Sequence, residues 1–534
     1  MRIGPPPTTI TLSASRSTSS SPAAAASELE IDPDVESVVV VGGGPIRIGQ
    51  GVEFDYCAVH AVQALRELGI DAHVVNNNPE TVSTDYDTSD GLFFEPITAE
   101  EVADVAEATG ADGVMVQFGG QTSVNVGEPL EDELDRRGLD CEILGTGVEA
   151  MDLAEDRDRF NALMDELAIA QPDGGTATSR EEALELAHEI GYPVLVRPSY
   201  VLGGRAMEIV YDDAELEEYI EEAVRVSPDK PILVDEFLDD AVELDVDAVA
   251  DGEAVLIGGI MEHVESAGVH SGDSACMIPP RSLGRAVNRR VREVAEDVAR
   301  GLGTVGLLNV QLAVKDGEVY VLEANPRSSR TVPFISKATG VPIAKIAAKV
   351  MAGHSLSELD ITEQVPAQTS IKEVVLPFDR LPGSDPRLGP EMKSTGEVMG
   401  TADTFGKAYE KAQSAAANPI PESGTIVLDL ADDAFPDPDS EAGEALVDGY
   451  TEYYELSDAV DLVEAARRGE IDLIVSGKRD LLTVAVEEEI PYFSTAEAAA
   501  AALEARAHRD EPIDVRAVSD RPQRDEYWGQ PRDE

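Results

Sequence analysis

Short apolar runs alternate with amphipathic stretches from residue 38 onward. The run VVVV at 38–41 predicts a buried strand, and EFDYCAVHAVQALRELG at 53–69 repeats its apolar residues with a helical period. Further strands are predicted at AHVVNN, GVMVQF and EILGT, with helical stretches between them. Strands and helices that alternate in this way predict a doubly wound α/β domain over residues 35–150.

A second pattern covers residues 151–357. Two helical stretches lead into PVLVRPSYVLGGRAMEIVY, which predicts a strand, a glycine loop and a second strand. Strands follow at PILVDEFL, VELDVDAVAD and EAVLIGGIMEHVE, and a long helix is predicted over 284–301. The segment GLLNVQLAVKDGEVYVLEANPR then predicts a β-hairpin whose turn contains Asp316 and Gly317.

Burial predicts the register of this hairpin. A two-residue Asp-Gly turn would pair positions of opposite parity, whereas a three-residue turn over 315–317 pairs like with like. The three-residue turn places these residues on one continuous apolar face: Leu308, Val310, Leu312, Val314, Tyr320 and Leu322. It gathers these residues on the opposite face: Asn309, Gln311, Glu323 and Asn325. Such a face is ordinarily the solvated side of a hairpin, but these hard oxygen donors also suit nucleotide-bound magnesium. Arg327 and Arg330, which follow immediately, suit an anionic substrate and a transferring phosphoryl group.

The remaining chain divides into four segments. Residues 1–34 have the composition of a disordered leader or linker, and 358–417 predict a connector of helix and loop. Strands at TIVLDL, IDLIVSG and IPYFS predict a small α/β domain over 418–510, although an acidic loop at 431–448 replaces an expected strand and helix. Lys478 and Arg479 could contact an anion there or form a solvated pair. Residues 511–534 predict a disordered polar tail.

The charge of the chain limits its partners. The net charge is -64, from 105 acidic and 41 basic residues, and Arg outnumbers Lys. Such a charge repels nucleic acid and anionic membranes, and no apolar run is as long as a membrane span. The acids are spread along the chain, which predicts adaptation to high salt. The three cysteines have no spacing typical of zinc or disulfide sites, so we expect a cytoplasmic location.

The loop GGGPIRIGQG at 42–51 satisfies no nucleotide-binding motif. A dinucleotide fingerprint requires G-x-G-x-x-G, but the next glycine after Gly44 is Gly49. A P-loop requires Gly-Lys-Ser/Thr, where this chain has Gly49, Gln50 and Gly51. The loop is interpreted as a tight structural turn, and the polar loop NNNPETVSTDYDTSD has no specified chemistry.

Several long motifs occur together in one order. They are GGGPIRIGQGVEFDY, NNNPETVSTDYDTSD, QFGGQT, RPSYVLGGRAMEIVY, AGVHSGDSAC, EANPRSSRTVPFISKATGVP and GPEMKSTGEVMG. On these motifs the chain resembles the ATP-grasp enzymes, and specifically the C-terminal half of the carbamoyl phosphate synthetase large chain, from about residue 36 to 418. The resemblance implies a pre-ATP-grasp domain, an ATP-grasp domain and a small methylglyoxal-synthase-like regulatory domain.

The resemblance also implies an ATP site. Arg197 would face the phosphates, Gly203 and Gly204 would close over them, and Glu243 would accept from the ribose. Glu236 and Leu238 would meet the adenine through the backbone. Four further residues would complete the pocket: Gly268, Val269, His270 and Ser271. A lone loop histidine is otherwise more often solvated, so the role of His270 depends on the family.

The resemblance further implies the metal and the chemistry. Gln311, Glu323 and Asn325 would hold one or two Mg²⁺ or Mn²⁺ ions, and Arg327 would position carbamate. In the family this half phosphorylates carbamate with ATP, for arginine and pyrimidine biosynthesis. The attacking oxygen is already anionic, so catalysis needs positioning and charge neutralisation rather than a general base.

One part of the family pattern is missing. The family's full large chain has two such halves, and the first makes carbamate from bicarbonate and ammonia supplied by a glutaminase small chain. No internal duplicate occurs in this sequence, so the second half could be a separate chain, the sequence could be a fragment, or two copies could act together. A non-catalytic nucleotide-binding scaffold and another ATP-grasp carboxylate ligase are the alternatives.

Removal of salt is expected to unfold the chain. With 105 acidic against 41 basic residues, mutual repulsion should exceed the folding free energy once counterions no longer screen it. Circular dichroism after dialysis from concentrated KCl into dilute buffer measures this. An unchanged spectrum would contradict the prediction of salt adaptation.

Overall fold

The computed structural model describes most of the chain. The described residues are 35–47, 49–198, 207–226, 231–381, 383–428, 452–455, 461–512, 515–520, 522–524, 526–528 and 530–531. The predicted leader, the glycine loop with Gly203 and Gly204, and the acidic loop at 431–448 lie outside these residues.

The first unit is a parallel sheet with helices, as the sequence predicts. Its strands are β1 (Ser37–Val41), β2 (Asp71–Val75), β3 (Gly91–Phe93), β4 (Gly113–Met115) and β5 (Glu142–Ile143), in the order β3-β2-β1-β4-β5. Its helices are α1 (Val52–Leu68), α2 (Ala99–Thr109), α3 (Gln121–Val124), α4 (Gly127–Arg137) and α5 (Val148–Glu155). The central strand β1 is buried throughout, which explains its unbroken valine run.

The second unit is a small antiparallel sheet. It contains β6 (Gly174–Ala177), β7 (Val194–Pro198), β8 (Glu208–Val210) and β9 (Ile232–Glu236), in the order β6-β9-β7-β8. Three helices belong to this part of the chain: α6 (Arg157–Leu167), α7 (Arg180–Ile190) and α8 (Asp213–Val226). Ala183, Ala187 and Leu216 on α7 and α8 join the buried face of this sheet, so the unit has its own core.

A seven-stranded antiparallel sheet forms the centre of the molecule. Its strands are β10 (Val242–Asp251), β11 (Val255–His263), β12 (Cys276–Ile278), β13 (Val305–Lys315), β14 (Glu318–Asn325), β15 (Thr369–Val375) and β16 (Gly396–Ala402), in the order β14-β13-β10-β11-β12-β15-β16. The helices of this region are α9 (Arg285–Leu302), α10 (Val332–Thr339), α11 (Ile343–Met351) and α12 (Phe405–Ala415). The predicted connector 358–417 therefore supplies two strands, β15 and β16, to this sheet.

The predicted C-terminal domain is a parallel α/β unit in its described residues. It contains β17 (Thr425–Leu428), β18 (Glu452–Glu455), β19 (Leu473–Val475) and β20 (Tyr492–Phe493), in the order β18-β17-β19-β20. Its helices are α13 (Leu462–Arg467), α14 (Arg479–Glu487) and α15 (Ala496–Ala507). Tyr409 on α12 is fully buried in one cluster with Ile426 and Ala505, so this unit is packed against the central one.

The C-terminal segment differs from the prediction of a disordered tail. It contains the short strands β21 (Glu526–Tyr527) and β22 (Gln530–Pro531). The amide of Ala367 donates to the carbonyl of Pro522 at 3.0 Å, and the amide of Arg524 donates to the carbonyl of Val365 at 2.8 Å. Trp528 is 2% exposed and belongs to the main buried cluster of the central sheet. The segment is polar in composition, so the sequence does not indicate that Trp528 is buried in the core.

The docking of this segment can be tested with the chain's own fluorescence, because Trp528 is its only tryptophan. We expect blue-shifted emission in the folded protein and a red shift on denaturation. Trp528→Ala should lower the free energy of unfolding by about 3 kcal/mol, whereas Trp528→Phe should retain most of it. Urea unfolding followed by circular dichroism measures the difference. Emission typical of exposed tryptophan in the folded chain would contradict the docking.

Candidate active site

The hairpin β13–β14 presents the predicted polar residues on one face, although its turn differs from the prediction. Lys315 pairs with Glu318 around a two-residue turn, in which Asp316 has φ 53° and Gly317 has φ 83°. A bulge beside Gln311 then changes the parity, so that Gln311 lies opposite Glu323. The predicted three-residue turn is wrong, but an extra residue further along the strand restores the predicted parity, so that Gln311 and Glu323 share a face as expected.

The bulge also corrects the predicted apolar face. Tyr320 and Leu322 do not join Leu308 and Val310 in the main core. They pack instead against a small cluster formed by Leu238, Ala241 and Ala313. This apolar cluster joins the hairpin to the segment that follows β9.

Hydrogen bonds connect the polar residues at the end of β14. The Asn325 side-chain amide donates to Glu323 Oε1 at 2.9 Å, and Arg327 Nη2 donates to Asn325 Oδ1 at 2.8 Å. Arg327 Nη1 also donates to the carbonyl of Ser328 at 2.9 Å. A carboxylate, an amide and a guanidinium are thus held in sequence, with Glu323 exposed to solvent.

The first unit contacts the loop that follows β14. Ser328 donates from its amide to the carbonyl of Gln117 at 3.0 Å and from its hydroxyl to the carbonyl of Phe118 at 3.0 Å. Arg330 Nη2 donates to Glu53 Oε1 at 3.1 Å, and Glu53 lies in the first turn of α1. The C-terminal ends of the parallel strands therefore form one wall of the site.

The loop GGGPIRIGQG contributes to this wall as a tight turn. Gln50 Nε2 donates to the carbonyls of Gly43 and Gly119, both at 2.9 Å. A Cβ atom on Gly119 would lie 2.5 Å from the carbonyl oxygen of Gly42, so the two backbones approach more closely than any side chain permits. These contacts favour the interpretation of the loop as a structural turn.

The residues predicted to contact adenine and ribose lie around the junction of β9 and β10. Glu236 ends β9, and its amide donates to the carbonyl of Asp173 at 2.7 Å. Leu238 is buried, and Glu243 lies on β10 with its carboxylate 3.4 Å from the amide of Gly268. These three predicted residues therefore lie where the chain passes from the small sheet to the central sheet.

The predicted residues 268–271 form a loop beside them. Gly268 has φ 106°, and a Cβ atom there would lie 3.0 Å from both Ile209 and Phe237. His270 Nδ1 accepts from the amide of Gly272 at 2.9 Å, and Lys372 Nζ donates to the carbonyl of Ser271 at 3.2 Å. Val269 is partly exposed in the same loop.

The neutral form of His270 is favoured. Burial lowers the pKa of His270, because it removes solvent that would stabilise the imidazolium. The nearby Asp273 carboxylate raises the pKa, and the Arg330 guanidinium lowers it further. A neutral imidazole can both donate and accept a hydrogen bond, so its contact with an anion depends on the tautomer.

Arg197 lies on β7 beside acidic and basic neighbours that the sequence did not indicate. Its Nε atom is 3.6 Å from Asp235 Oδ2, and Arg157 forms an ion pair with the other oxygen of Asp235. Arg197 Nε has no hydrogen-bond partner in the described part of the protein. Asp235 could have been found only from its position in β9, where it pairs with Leu195.

A buried charged network lies behind the site. His263 Nε2 and Asp245 Oδ2 are 2.8 Å apart, and His263 Nδ1 is 3.4 Å from Glu243 Oε2. Burial disfavours the imidazolium, but Cys276 and the carboxylates of Asp245 and Glu243 raise the pKa of His263 well above its usual value. Burial likewise opposes ionisation of Asp245, yet the hydrogen bond from His263 lowers the pKa of Asp245.

The donor set at the hairpin fits a metal ion only together with a nucleotide. The described residues contain no group of three or more His, Cys, Asp or Glu side chains that could hold a metal. Gln311, Glu323 and Asn325 offer one carboxylate and two amide oxygens, and magnesium in nucleotide sites takes its remaining ligands from phosphate and water. Asn325 Oδ1 accepts one hydrogen bond from Arg327, which leaves a second lone pair.

The structure and the family models define the class of protein. The carbamoyl phosphate synthase preATP-grasp domain matches residues 34–153, and the carbamoyl-phosphate synthase L chain ATP binding domain matches 156–359. Together they match more than half of the chain, which therefore has the ATP-grasp arrangement. Campylobacter jejuni biotin carboxylase shares this fold, with a TM-score of 0.56 and 19% identity over 72% of this chain and 91% of that chain.

The curated relatives specify the family. The carbamoyl phosphate synthase large chain of Halobacterium salinarum is 73% identical over 93% of this chain and 46% of its own length. That of Methanosarcina mazei is 55% identical over 88% of this chain and 47% of its own length. The chain belongs to the carbamoyl phosphate synthase large-chain family and spans about half the length of these relatives. No helix among the described residues is long and apolar enough to cross a membrane.

The buried histidine predicts a pH dependence of stability. Because the folded pKa of His263 is raised, its ion pairs stabilise the protein fully below about pH 6.5 and are lost as pH rises through the folded pKa. His263→Gln should therefore cost about 3–5 kcal/mol at pH 6 and less at pH 9, measured by urea unfolding in constant KCl.

His188 is the matched control. It is 57% exposed and pairs with Asp213, which is 55% exposed, so His188→Gln should change stability by less than about 1 kcal/mol. If His263→Gln lowers the free energy of unfolding equally at pH 6 and pH 9, the buried His263 is not a charged imidazolium.

Proposed function

We propose that this chain phosphorylates carbamate with ATP to give carbamoyl phosphate, as the C-terminal half of a carbamoyl phosphate synthase large chain does. The observation that carries this proposal is the sequence of contacts from Glu323 through Asn325 to Arg327 at the end of β14. It combines oxygen ligands for a nucleotide-bound cation with a guanidinium for an anionic substrate. The ATP-binding family model covers these residues.

In this proposal the nucleotide lies between the small sheet and the hairpin. Its proposed contacts are Arg197, Gly203, Gly204, Glu236, Leu238, Glu243, Gly268, Val269, His270, Ser271, Gln311 and Glu323. The apolar cluster of Leu238 with Tyr320 and Leu322 supports a place for adenine. The Arg197 side chain on β7 is 33% exposed, which supports a contact of its guanidinium with phosphate.

The chain's own groups would position the reactants. Arg327 would hold carbamate so that its oxygen attacks the γ-phosphorus of ATP and ADP leaves, with Arg197 neutralising phosphate charge. Gln311, Glu323 and Asn325 would hold one or two Mg²⁺ or Mn²⁺ ions, which supply charge neutralisation on the phosphates. No side chain needs to remove a proton, because carbamate is already an anion.

The chain spans about half the length of its curated relatives, which supports a second chain as a partner. We propose that a second synthetase half supplies carbamate, that a glutaminase small chain supplies ammonia, and that two copies of this chain are the alternative assembly. The product would serve arginine and pyrimidine biosynthesis in the cytoplasm. The strongly negative charge of the chain supports neither nucleic acid nor a membrane as a partner.

The C-terminal unit is proposed to be a degenerate regulatory domain. A cavity of about 630 Å³ lies between α14 and the loop of Arg387, and Arg467, Lys478 and Arg479 line it. Asp480 and Glu487 line the same cavity, so its charge is mixed. We expect an anionic effector to bind weakly there.

The reverse reaction tests the proposed function. Purified chain in concentrated KCl with Mg²⁺, ADP and carbamoyl phosphate should form ATP, and Glu323→Gln should lower this rate at least about 100-fold because it removes a charge from the metal site. Glu318→Gln on the same strand is the matched control, since Glu318 is exposed and distant from Asn325 in the ladder. It should retain wild-type activity.

Three outcomes that contradict the proposal have different meanings. A folded wild-type chain that binds ADP but makes no ATP would favour the non-catalytic scaffold. Full activity in Glu323→Gln would exclude the hairpin as the site of phosphoryl transfer. Activity on another carboxylate in place of carbamate would favour a different ATP-grasp ligase.

A further inference from the structure

Asp247 on β10 holds the loop that carries both candidate substrate arginines. It is 1% exposed. Its Oδ1 atom accepts from the Ser329 hydroxyl at 2.8 Å and from the Asn309 amide at 3.0 Å, and its Oδ2 atom accepts from the Thr331 hydroxyl at 2.5 Å. Both hydroxyls belong to the loop between β14 and α10, so one carboxylate fixes two alternate residues of that loop.

The contacts of Asp247 differ from those of an ordinary structural carboxylate. None of its three hydrogen-bond donors is a cation, and a buried carboxylate without a cationic partner is costly to desolvate. Burial and the neighbouring Asp245 raise the pKa of Asp247 to about 6, which reflects this cost. A hydrophobic residue would pack there at lower cost, but it could not orient two hydroxyl groups.

The loop is held from two sides at successive residues. Ser328 donates to carbonyls of the first unit, while Ser329 and Thr331 donate to Asp247 in the central sheet. Arg327 directly precedes Ser328, and Arg330 lies between Ser329 and Thr331, so the directions of both arginine side chains depend on these anchors. A displacement of about 1 Å in a group that positions substrate can cost a factor of 100 in rate.

We propose that Asp247 is a positioning residue for phosphoryl transfer, which aligns the Arg327–Thr331 loop so that the Arg327 guanidinium stays beside Asn325 and Glu323. The inference rests on the proposed function for its kinetic consequence. Its structural consequence, an ordered loop, does not depend on that function.

Asp247→Asn tests the proposal, because it keeps the size of the side chain and replaces one accepting oxygen by a donor. We expect kcat for ATP formation from ADP and carbamoyl phosphate to fall about 10- to 100-fold, with the affinity for ADP unchanged. Hydrogen exchange at residues 328–332 should become faster. Thr331→Val removes one hydrogen-bond donor to the same carboxylate. It replaces Asp247→Asn as the test variant if Asp247→Asn does not fold.

Asp251 provides the matched control on the same strand. Its carboxylate accepts from the amides of Glu253, Ala254 and Leu356, away from the loop of Arg327. Asp251→Asn should lower the melting temperature without a change in kcat or in exchange at 328–332. A merely structural role for Asp247 predicts the same behaviour for both variants.

The outcomes separate this proposal from the proposed function. Wild-type kcat and unchanged exchange at 328–332 in Asp247→Asn would overturn the positioning role even if the wild type makes ATP. If the wild type makes no ATP, the proposed function fails, and exchange still decides whether Asp247 orders the loop. A selective loss of kcat in Asp247→Asn and Thr331→Val, with combined effects smaller than additive, would support the proposal.

Discussion

The register between β13 and its two neighbours is the constraint on which the site depends. Each residue of β13 from Val305 to Val314 has a partner on β10, and the ladder continues to β14 on the other side. Leu308, Val310 and Leu312 pack in the main core, and the buried Asn309 donates to Asp245 and Asp247, so a slip by one residue would place Asn309 and Gln311 among apolar side chains and break these hydrogen bonds. The free energy of the core therefore fixes where the oxygen donors lie.

The same ladder shows how much of the site the sequence could predict. Alternation of apolar and polar residues was enough to place Gln311 and Glu323 on the same face of the hairpin, and the motifs predicted the residues that are proposed to surround the nucleotide. The position of the extra residue could not be predicted, because a three-residue turn and a two-residue turn followed by a bulge place the same residues on the polar face beyond it, although their partners differ by two positions. Only the second arrangement moves Tyr320 and Leu322 to the small cluster around Leu238.

Long-range contacts explain the other differences between prediction and structure. The local sequence of β15 predicts a connector, because its strand partner β12 lies about 95 positions earlier in the chain. Trp528 is one apolar residue in a polar segment, too few to give a periodic signal, yet it is buried in the main core. Asp245 and His263 lie on neighbouring strands, and neither local sequence indicates the other.

The charge of the chain gives the local cations their importance. With a net charge of -64, the overall field repels anions, including the proposed substrates ATP and carbamate, and only ionic strength shortens its range, to about 3 Å at 1 M salt. Contacts shorter than this length are screened much less, so Arg327 and Arg330 at the loop can still attract an anion that reaches them. Arg330 is partly neutralised by Glu53, whereas Arg327 donates to neutral oxygens of Asn325 and Ser328. Arg327 therefore keeps its full charge for substrate, and this distinction would be lost if both arginines were paired with carboxylates.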